Sequence, residues 1–170
     1  MIKSSLIFGG ARSGKSRRAL ELARETGAKP VFIATAEALD TEMADRIARH
    51  KDERGAEWST IEAPLDLLSA IEAASQTGDI CVVDCLTLWL SNLMHDERNV
   101  AAEMAQLASF VASSPIAIIL VSNEVGMGLV PETPLGRNFR DAQGWLNQTL
   151  ARVCDRVEFV AAGLPIRLKG

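Results

Sequence analysis

Short, nearly continuous apolar runs recur along the chain at residues 5–8, 30–34, 80–84, 116–122, 156–161 and 165–168. Runs of this length with little polar alternation predict strands covered on both faces, so the first four are expected to form a mainly parallel sheet. The last two flank Gly163 and are expected to form a terminal antiparallel hairpin. Between the strands, apolar residues return every three or four positions, as at Leu20 and Ala23 and again at Met43 and Ile47. That period predicts helices over 15–25, 40–53, 64–75, 86–94, 100–112 and 135–154. Strands alternating with helices imply an α/β layered fold with right-handed crossovers. No repeat, linker or composition break divides the chain, and residues 1–170 are expected to form a single domain.

The junction between the first strand and the first helix carries the most specific chemistry. Gly9-Gly10-Ala11-Arg12-Ser13-Gly14-Lys15-Ser16 fits GxxxxGK[ST], and it stands in the strand–loop–helix context that a phosphate-binding P-loop requires. Glycines let backbone N–H groups close around phosphate oxygens, and the helix N-terminus adds partial positive charge. Lys15 is expected to reach the β- and γ-phosphates, and the Ser16 hydroxyl to ligate Mg2+. A second magnesium-side oxygen is expected at the end of another central strand. Asp84, after Ile80-Cys81-Val82-Val83, meets that need, although an aspartate there could instead cap the next helix.

Other residues are less decided by local pattern. Arg46, His50 and Arg54 fall along one side of a helix, so His50 would be bracketed by cations that could hold phosphates. A neutral imidazole there could attack phosphorus, yet a solvated histidine on a charged face is the commoner outcome. His95, in Met94-His95-Asp96-Glu97-Arg98, reads as the polar end of a helix. Asn123-Glu124-Val125-Gly126-Met127-Gly128-Leu129-Val130 is a glycine-rich loop at a strand's carboxyl end, where open α/β sheets bind ligands. Its apolar side chains suit a pocket wall or a subunit contact, and Arg137 and Arg140 just beyond it could face an anionic substrate. Cys81, Cys85 and Cys154 show no metal-ligand spacing and read as small buried hydrophobes.

The net charge of -4 argues against a nucleic-acid protein and leaves a locally held small anion as the expected partner. No apolar run reaches the ~18 residues of a membrane span, and the first residues show no signal-peptide pattern, so a cytoplasmic protein is expected.

Taken together these segments resemble the bifunctional adenosylcobinamide kinase and adenosylcobinamide-phosphate guanylyltransferase family of cobalamin synthesis. The resemblance rests on the P-loop, Ile33-Ala-Thr-Ala36, Asp45-Arg-Ile-Ala-Arg-His-Lys-Asp-Glu-Arg54, Val83-Asp-Cys-Leu-Thr-Leu-Trp89 with Asn92, the loop from Asn123 to Glu132, and Phe139-Arg-Asp-Ala-Gln-Gly-Trp-Leu-Asn-Gln148. It implies a RecA-like P-loop NTPase fold of three layers with a mainly parallel sheet. It also implies that His50 becomes guanylylated during turnover, which reverses the local preference for an inert histidine. Nucleotide-binding positions implied by the family are Ala34, Thr35, Ala36, Lys51, Asp52, Glu53, Arg54, Glu62 and Asp84; some relatives carry Glu in place of Asp84. ATP or GTP and Mg2+ would serve the kinase step, and GTP the transfer step. A homotrimer would supply surface for the corrinoid, with Met127, Leu129 and Trp89 expected as exposed contact points. A single-activity small-molecule kinase with an inert His50, or a non-catalytic nucleotide-binding module, would share the P-loop without the guanylylated protein.

Overall fold

The computed structural model describes residues 3–37, 55 and 57–170. Seven strands build the sheet: β1 (Ser4–Gly9), β2 (Pro30–Ala34), β3 (Ser59–Glu62), β4 (Ile80–Asp84), β5 (Ala117–Asn123), β6 (Arg156–Ala161) and β7 (Leu164–Lys169), in the spatial order β3-β2-β4-β5-β1-β6-β7. All neighbours run parallel except β6 and β7, which form the antiparallel hairpin expected from the sequence. The described helices are α1 (Lys15–Glu25), α2 (Leu67–Thr77), α3 (Leu86–His95), α4 (Val100–Ala112) and α5 (Pro134–Val153). The expected helix over 40–53 lies outside the described residues. None of the described helices is long and apolar enough to cross a membrane.

Strand alternation divides the core cleanly in two. Ile7, Phe32, Val82, Ile119, Val121 and Val160 pack with α1 residues Ala19, Leu20, Leu22 and Ala23 on one face. Leu6, Val31, Ile33, Cys81, Val83, Ile118, Leu120 and Val157 pack with α2, α3, α4 and α5 on the other. Because each central strand is covered on both sides, its middle positions are apolar on both faces, which is why the pattern looked continuous rather than alternating.

Helix ends follow local chemistry. The Asn99 side chain accepts the Ala102 N–H at the start of α4, and the Thr133 hydroxyl accepts that of Gly136 ahead of Pro134 in α5. Strand β3 escaped the sequence pattern because it is a four-residue edge strand, Ser-Thr-Ile-Glu, with one apolar residue and no fully buried side chain. Helix α2 begins at Leu67, three residues later than expected from 64, after a turn in which the Leu67 N–H donates to the Leu65 carbonyl (2.9 Å).

Trp89 corrects an expectation. It is 1% exposed, and its indole N–H donates to the Leu65 carbonyl at 2.8 Å. It therefore locks α3 to the lead-in of α2 and cannot serve as an exposed contact point.

One buried charge joins the first helix to the sheet. Glu158 on β6 is 2% exposed and takes a bidentate pair from Arg18 on α1, at 2.9 Å from Nε and 3.2 Å from Nη2. Burial pushes the Glu158 carboxyl up, but the Arg18 hydrogen bond and the charges of Arg18, Arg156 and Arg167 outweigh it, so the net shift is downward. Removing one partner of a buried pair leaves the other charge uncompensated, so Glu158→Ala is expected to cost about 3 kcal/mol. The measurement is the urea midpoint at neutral pH. A carboxyl held below its ordinary value of 4.5 stabilises the fold above that value and stops doing so as pH falls through the lowered one. The gap between wild type and Glu158→Gln is therefore expected to narrow on acidification below the ordinary glutamate range.

Candidate active site

The carboxyl ends of β1, β2, β4 and β5 lie side by side along one edge of the sheet. Strand register sets Ala34 beside both Glu62 and Asp84, Asp84 beside Val121, and Gly9 beside Asn123. Residues distant in sequence thus meet at one edge of the sheet, Glu62, Ala34 and Asp84 in one row and Asn123 and Gly9 two residues further along their strands, where parallel sheets place ligands.

The loop from Gly9 to Ser16 leaves β1 at a point where only glycine fits. A Cβ on Gly9 would lie 2.3 Å from the Val160 carbonyl oxygen of β6. Gly14 stands at φ +98° immediately ahead of α1, a conformation that L side chains avoid. The Gly163 N–H, at the tip of the β6–β7 hairpin, donates to the Ser13 carbonyl (2.9 Å), so the hairpin braces the loop from outside. Around Gly10 there is open space where a side chain would otherwise project. Lys15 is buried, with its ammonium donating to the Gly10 carbonyl at 2.5 Å. The buried Ser13 hydroxyl has no hydrogen-bond partner among the described residues. A glycine-shaped loop that carries a buried ammonium and leads straight into a helix N-terminus can receive an anion.

Asp84 ends β4 half-buried. It makes no cap bond at α3, where Cys85 is the N-cap residue without a side-chain cap. Burial, followed by the Asp84 charge, pushes the Cys85 thiol up to about 11, so it is a poor nucleophile near neutrality. Burial likewise pushes Cys81 and Cys154 up to about 12, and all three cysteines are free.

Thr35 is fully buried and works through the backbone. Its hydroxyl donates to the Cys85 carbonyl (2.7 Å) and accepts the Cys85 N–H (2.9 Å). The Asn92 carboxamide then donates to the Thr35 and Pro64 carbonyls, at 2.9 and 3.0 Å. These bonds lash the end of β2 to the β4–α3 turn. Ala34 and Ala36 are half-buried at the same end, while Glu62 is exposed.

His50, Lys51, Asp52, Glu53 and Arg54 lie outside the described residues. The chain leaves the carboxyl end of β2 before them and re-enters the sheet as β3, next to β2.

The loop after β5 is held by its own side chains. Glu124 accepts the backbone N–H groups of Gly126 and of Met127 (3.1 Å). Arg140 donates to the Gly126 carbonyl, and Arg137 to those of Pro131 and Glu132. Both arginines thus hold the loop's backbone through their guanidinium groups. Met127, Leu129 and Val130 are 79%, 97% and 62% exposed. Beside them is a depression of about 510 Å³ lined by Gly126, Arg140, Asp141, Gly144, Trp145 and Gln148.

Sequence reasoning did not single out Thr87, Ser122, Gln143 and Asn147, which form a polar cluster beneath the end of β5. The available signal was Gln143 and Asn147 recurring at helical spacing on the apolar side of α5.

Comparison with known proteins agrees with this geometry. Solved structures sharing the fold include a KaiC-like protein of Pyrococcus horikoshii, at TM-score 0.55 and 13% identity over 92% of this chain and 71% of that one. The RadB recombinase matches with TM-score 0.54 and 16% identity over 92% of this chain and 73% of that one. These likenesses show a shared α/β fold and nothing beyond the fold. Among similar sequences, the bifunctional adenosylcobalamin biosynthesis protein CobP of Pseudomonas aeruginosa is 48% identical over 97% of this chain and 96% of its own length. The protein CobU of Salmonella typhimurium, with the same description, is 38% identical over 96% of this chain and 98% of its own. The family model described as cobinamide kinase / cobinamide phosphate guanyltransferase matches residues 5–168, and the chain belongs to that family.

Proposed function

We propose that this chain, acting as one domain over residues 1–170, phosphorylates adenosylcobinamide with ATP or GTP and then converts the product to adenosylcobinamide-GDP. The observation that carries the proposal is the glycine-shaped loop that ends β1, with the buried Lys15 ammonium on the Gly10 carbonyl, at the same edge of the sheet as Asp84. In the kinase step the acceptor hydroxyl oxygen bonds to the γ-phosphorus, and the bond from that phosphorus to the bridging oxygen breaks. The electron pair leaves with the nucleoside diphosphate, and the hydroxyl proton passes to solvent. Lys15 and the amides of Gly10, Ala11, Arg12, Ser13 and Gly14 stabilise the charge on the transferring group.

Mg2+ fits the oxygens available. The Ser16 hydroxyl and the Asp84 carboxylate are hard donors, and no cluster of three or more His, Cys, Asp or Glu occurs among the described residues. That set suits an ion completed by phosphate oxygens and water. When bound, it would neutralise charge between the β- and γ-phosphates.

In the transfer step the His50 imidazole bonds to the α-phosphorus of GTP and pyrophosphate leaves. A phosphate oxygen of adenosylcobinamide phosphate then takes the guanylyl group, and the imidazole is released. Covalent capture divides one displacement between two anions into two easier ones. Lys51, Asp52, Glu53, Arg54, Glu62, Ala34, Thr35 and Ala36 would hold the guanine nucleotide. The exposed Met127, Leu129 and Val130 support a homotrimer in which the corrinoid sits near a subunit boundary, and three free cysteines suit the cytoplasm.

Incubation with Mg2+ and GTP labelled at its α-phosphorus is expected to give an acid-labile, base-stable protein label that is absent in His50→Ala. An unlabelled wild type that still converts ATP to ADP with the corrinoid acceptor would instead identify a single-activity kinase. Lys15→Ala is expected to lower kcat for phosphorylation by at least about 100-fold, as loss of a preorganised charge contact does. A coupled ADP assay at saturating acceptor reads that loss.

A further inference from the structure

The cluster beneath β5 is an expensive piece of interior. Ser122 and Gln143 are fully buried and Asn147 is 7% exposed. Asn147 Oδ1 accepts from the Ser122 hydroxyl (2.6 Å) and from Gln143 Nε2 (3.1 Å), and Gln143 Nε2 also donates to the Ser122 hydroxyl (2.9 Å). Gln143 Oε1 has no partner among the described residues. Apolar side chains would fill this space without an orphaned acceptor, so stability does not account for the cluster.

What the cluster does, together with Thr87, is hold both backbone polar groups of one residue. Asn147 Nδ2 donates to the Asn123 carbonyl at 3.0 Å, and the Asn123 N–H donates to the Thr87 hydroxyl at 2.9 Å. Asn123 is gripped from α5 on one side of its backbone and from α3 on the other. The next residue is fixed as well, since the Glu124 N–H donates to the Gly9 carbonyl at 2.9 Å.

The side-chain direction follows from strand alternation. Ile119 and Val121 lie on the α1 face, while Ser122 bonds to α5 on the opposite face. The two-residue period puts the Asn123 side chain on the α1 face, together with the phosphate loop. Strand β5 lies between β4, which ends in Asp84, and β1, which ends in Gly9. A terminal phosphoryl group extending from the β1 loop toward the end of β4 would therefore pass over Asn123.

We infer that Asn123 is a catalytic residue of the kinase step, its carboxamide N–H donating to the transferring phosphoryl group, with Thr87 and Asn147 as positioning residues. The inference rests on the proposal that the cradle holds the triphosphate for γ-transfer. A neutral donor stabilises charge gained by the phosphoryl oxygens without taking up the acceptor's proton.

The test is steady-state phosphorylation of the corrinoid acceptor with ATP. Asn123→Ala is expected to lower kcat about 100-fold while KM for ATP changes by less than about threefold. Thr87→Val is expected to lower kcat about tenfold, Thr87→Ser to restore it, and Thr87→Val to add no further loss in an Asn123→Ala background. If Asn123→Ala does not fold, Asn123→Asp replaces it, keeping the shape but setting a carboxylate against phosphate, with the same or a greater loss expected. An active wild type whose Asn123 variants retain kcat, or a Thr87→Val loss that multiplies with that of Asn123→Ala, would overturn the inference alone. A wild type that transfers no γ-phosphoryl group would overturn the kinase proposal and this inference with it.

Discussion

The site depends on a close approach between two backbones. Gly9 presses against the Val160 carbonyl so tightly that no Cβ could be accommodated, and four residues further on Ser13 receives a hydrogen bond from Gly163. The phosphate loop is therefore a braced arch with one end on β1 and its outer side against the β6–β7 hairpin. The Arg18–Glu158 pair ties the following helix to the same strand, two residues before Val160. Loop and helix N-terminus are both referenced to β6, so the amides that would meet phosphate are ordered before any ligand arrives. Preorganisation of this kind favours both binding and charge stabilisation, because little reorganisation remains at the moment of reaction.

The carboxyl ends of β2 and β5 are fixed by different means. Thr35 and Asn92 hold the end of β2 to the β4–α3 turn, while Thr87 and Asn147 hold the end of β5. In each case a side chain bonds to backbone at a strand terminus, where the ladder runs out and peptide groups would otherwise lack partners. Polar bonds constrain direction as well as distance, which apolar packing does not. The carboxyl ends thus keep a defined order of Glu62, Asp84, Asn123 and Gly9, the last two standing two residues further along their strands, even though the loops that follow are irregular.

The sequence made some of this legible and hid the rest for physical reasons. Strands β2 and β4 had the bounds expected of them because strands covered on both faces leave a nearly unbroken apolar signature, and β6 kept its expected bounds although Arg156 and Glu158 interrupt its run. The phosphate loop was readable because its chemistry is local: one contiguous segment supplies amides, ammonium and hydroxyl. Strand β3 was missed because an exposed edge needs no apolar pattern. Trp89 was misplaced because its burial depends on the Leu65 carbonyl, a partner that neighbouring residues do not announce. The Asn147–Ser122 bond spans 25 positions and Cys85–Thr35 spans 50, so neither could be anticipated from spacing. The implied role of His50 came from family resemblance alone, since its local surroundings favoured an inert surface group.

The loop after β5 divides the labour of recognition in a way that composition concealed. Arg137 and Arg140 follow an apolar loop in sequence and suggested charge offered to an anion. In the fold their guanidinium groups bind loop carbonyls, and Glu124 binds loop amides from the other end. Charge here is consumed in shaping the backbone, and what the loop presents outward is Met127, Leu129 and Val130. An isolated surface of that kind is costly in water and becomes favourable once covered. On the proposed function, phosphate is recognised by the braced amides of the first loop, and bulk and apolarity by this second one. Separating the two lets a single cradle serve acceptors that differ in charge, a hydroxyl in one step and a phosphate in the next, because the surface that grips the bulk of the acceptor is indifferent to which end group it carries.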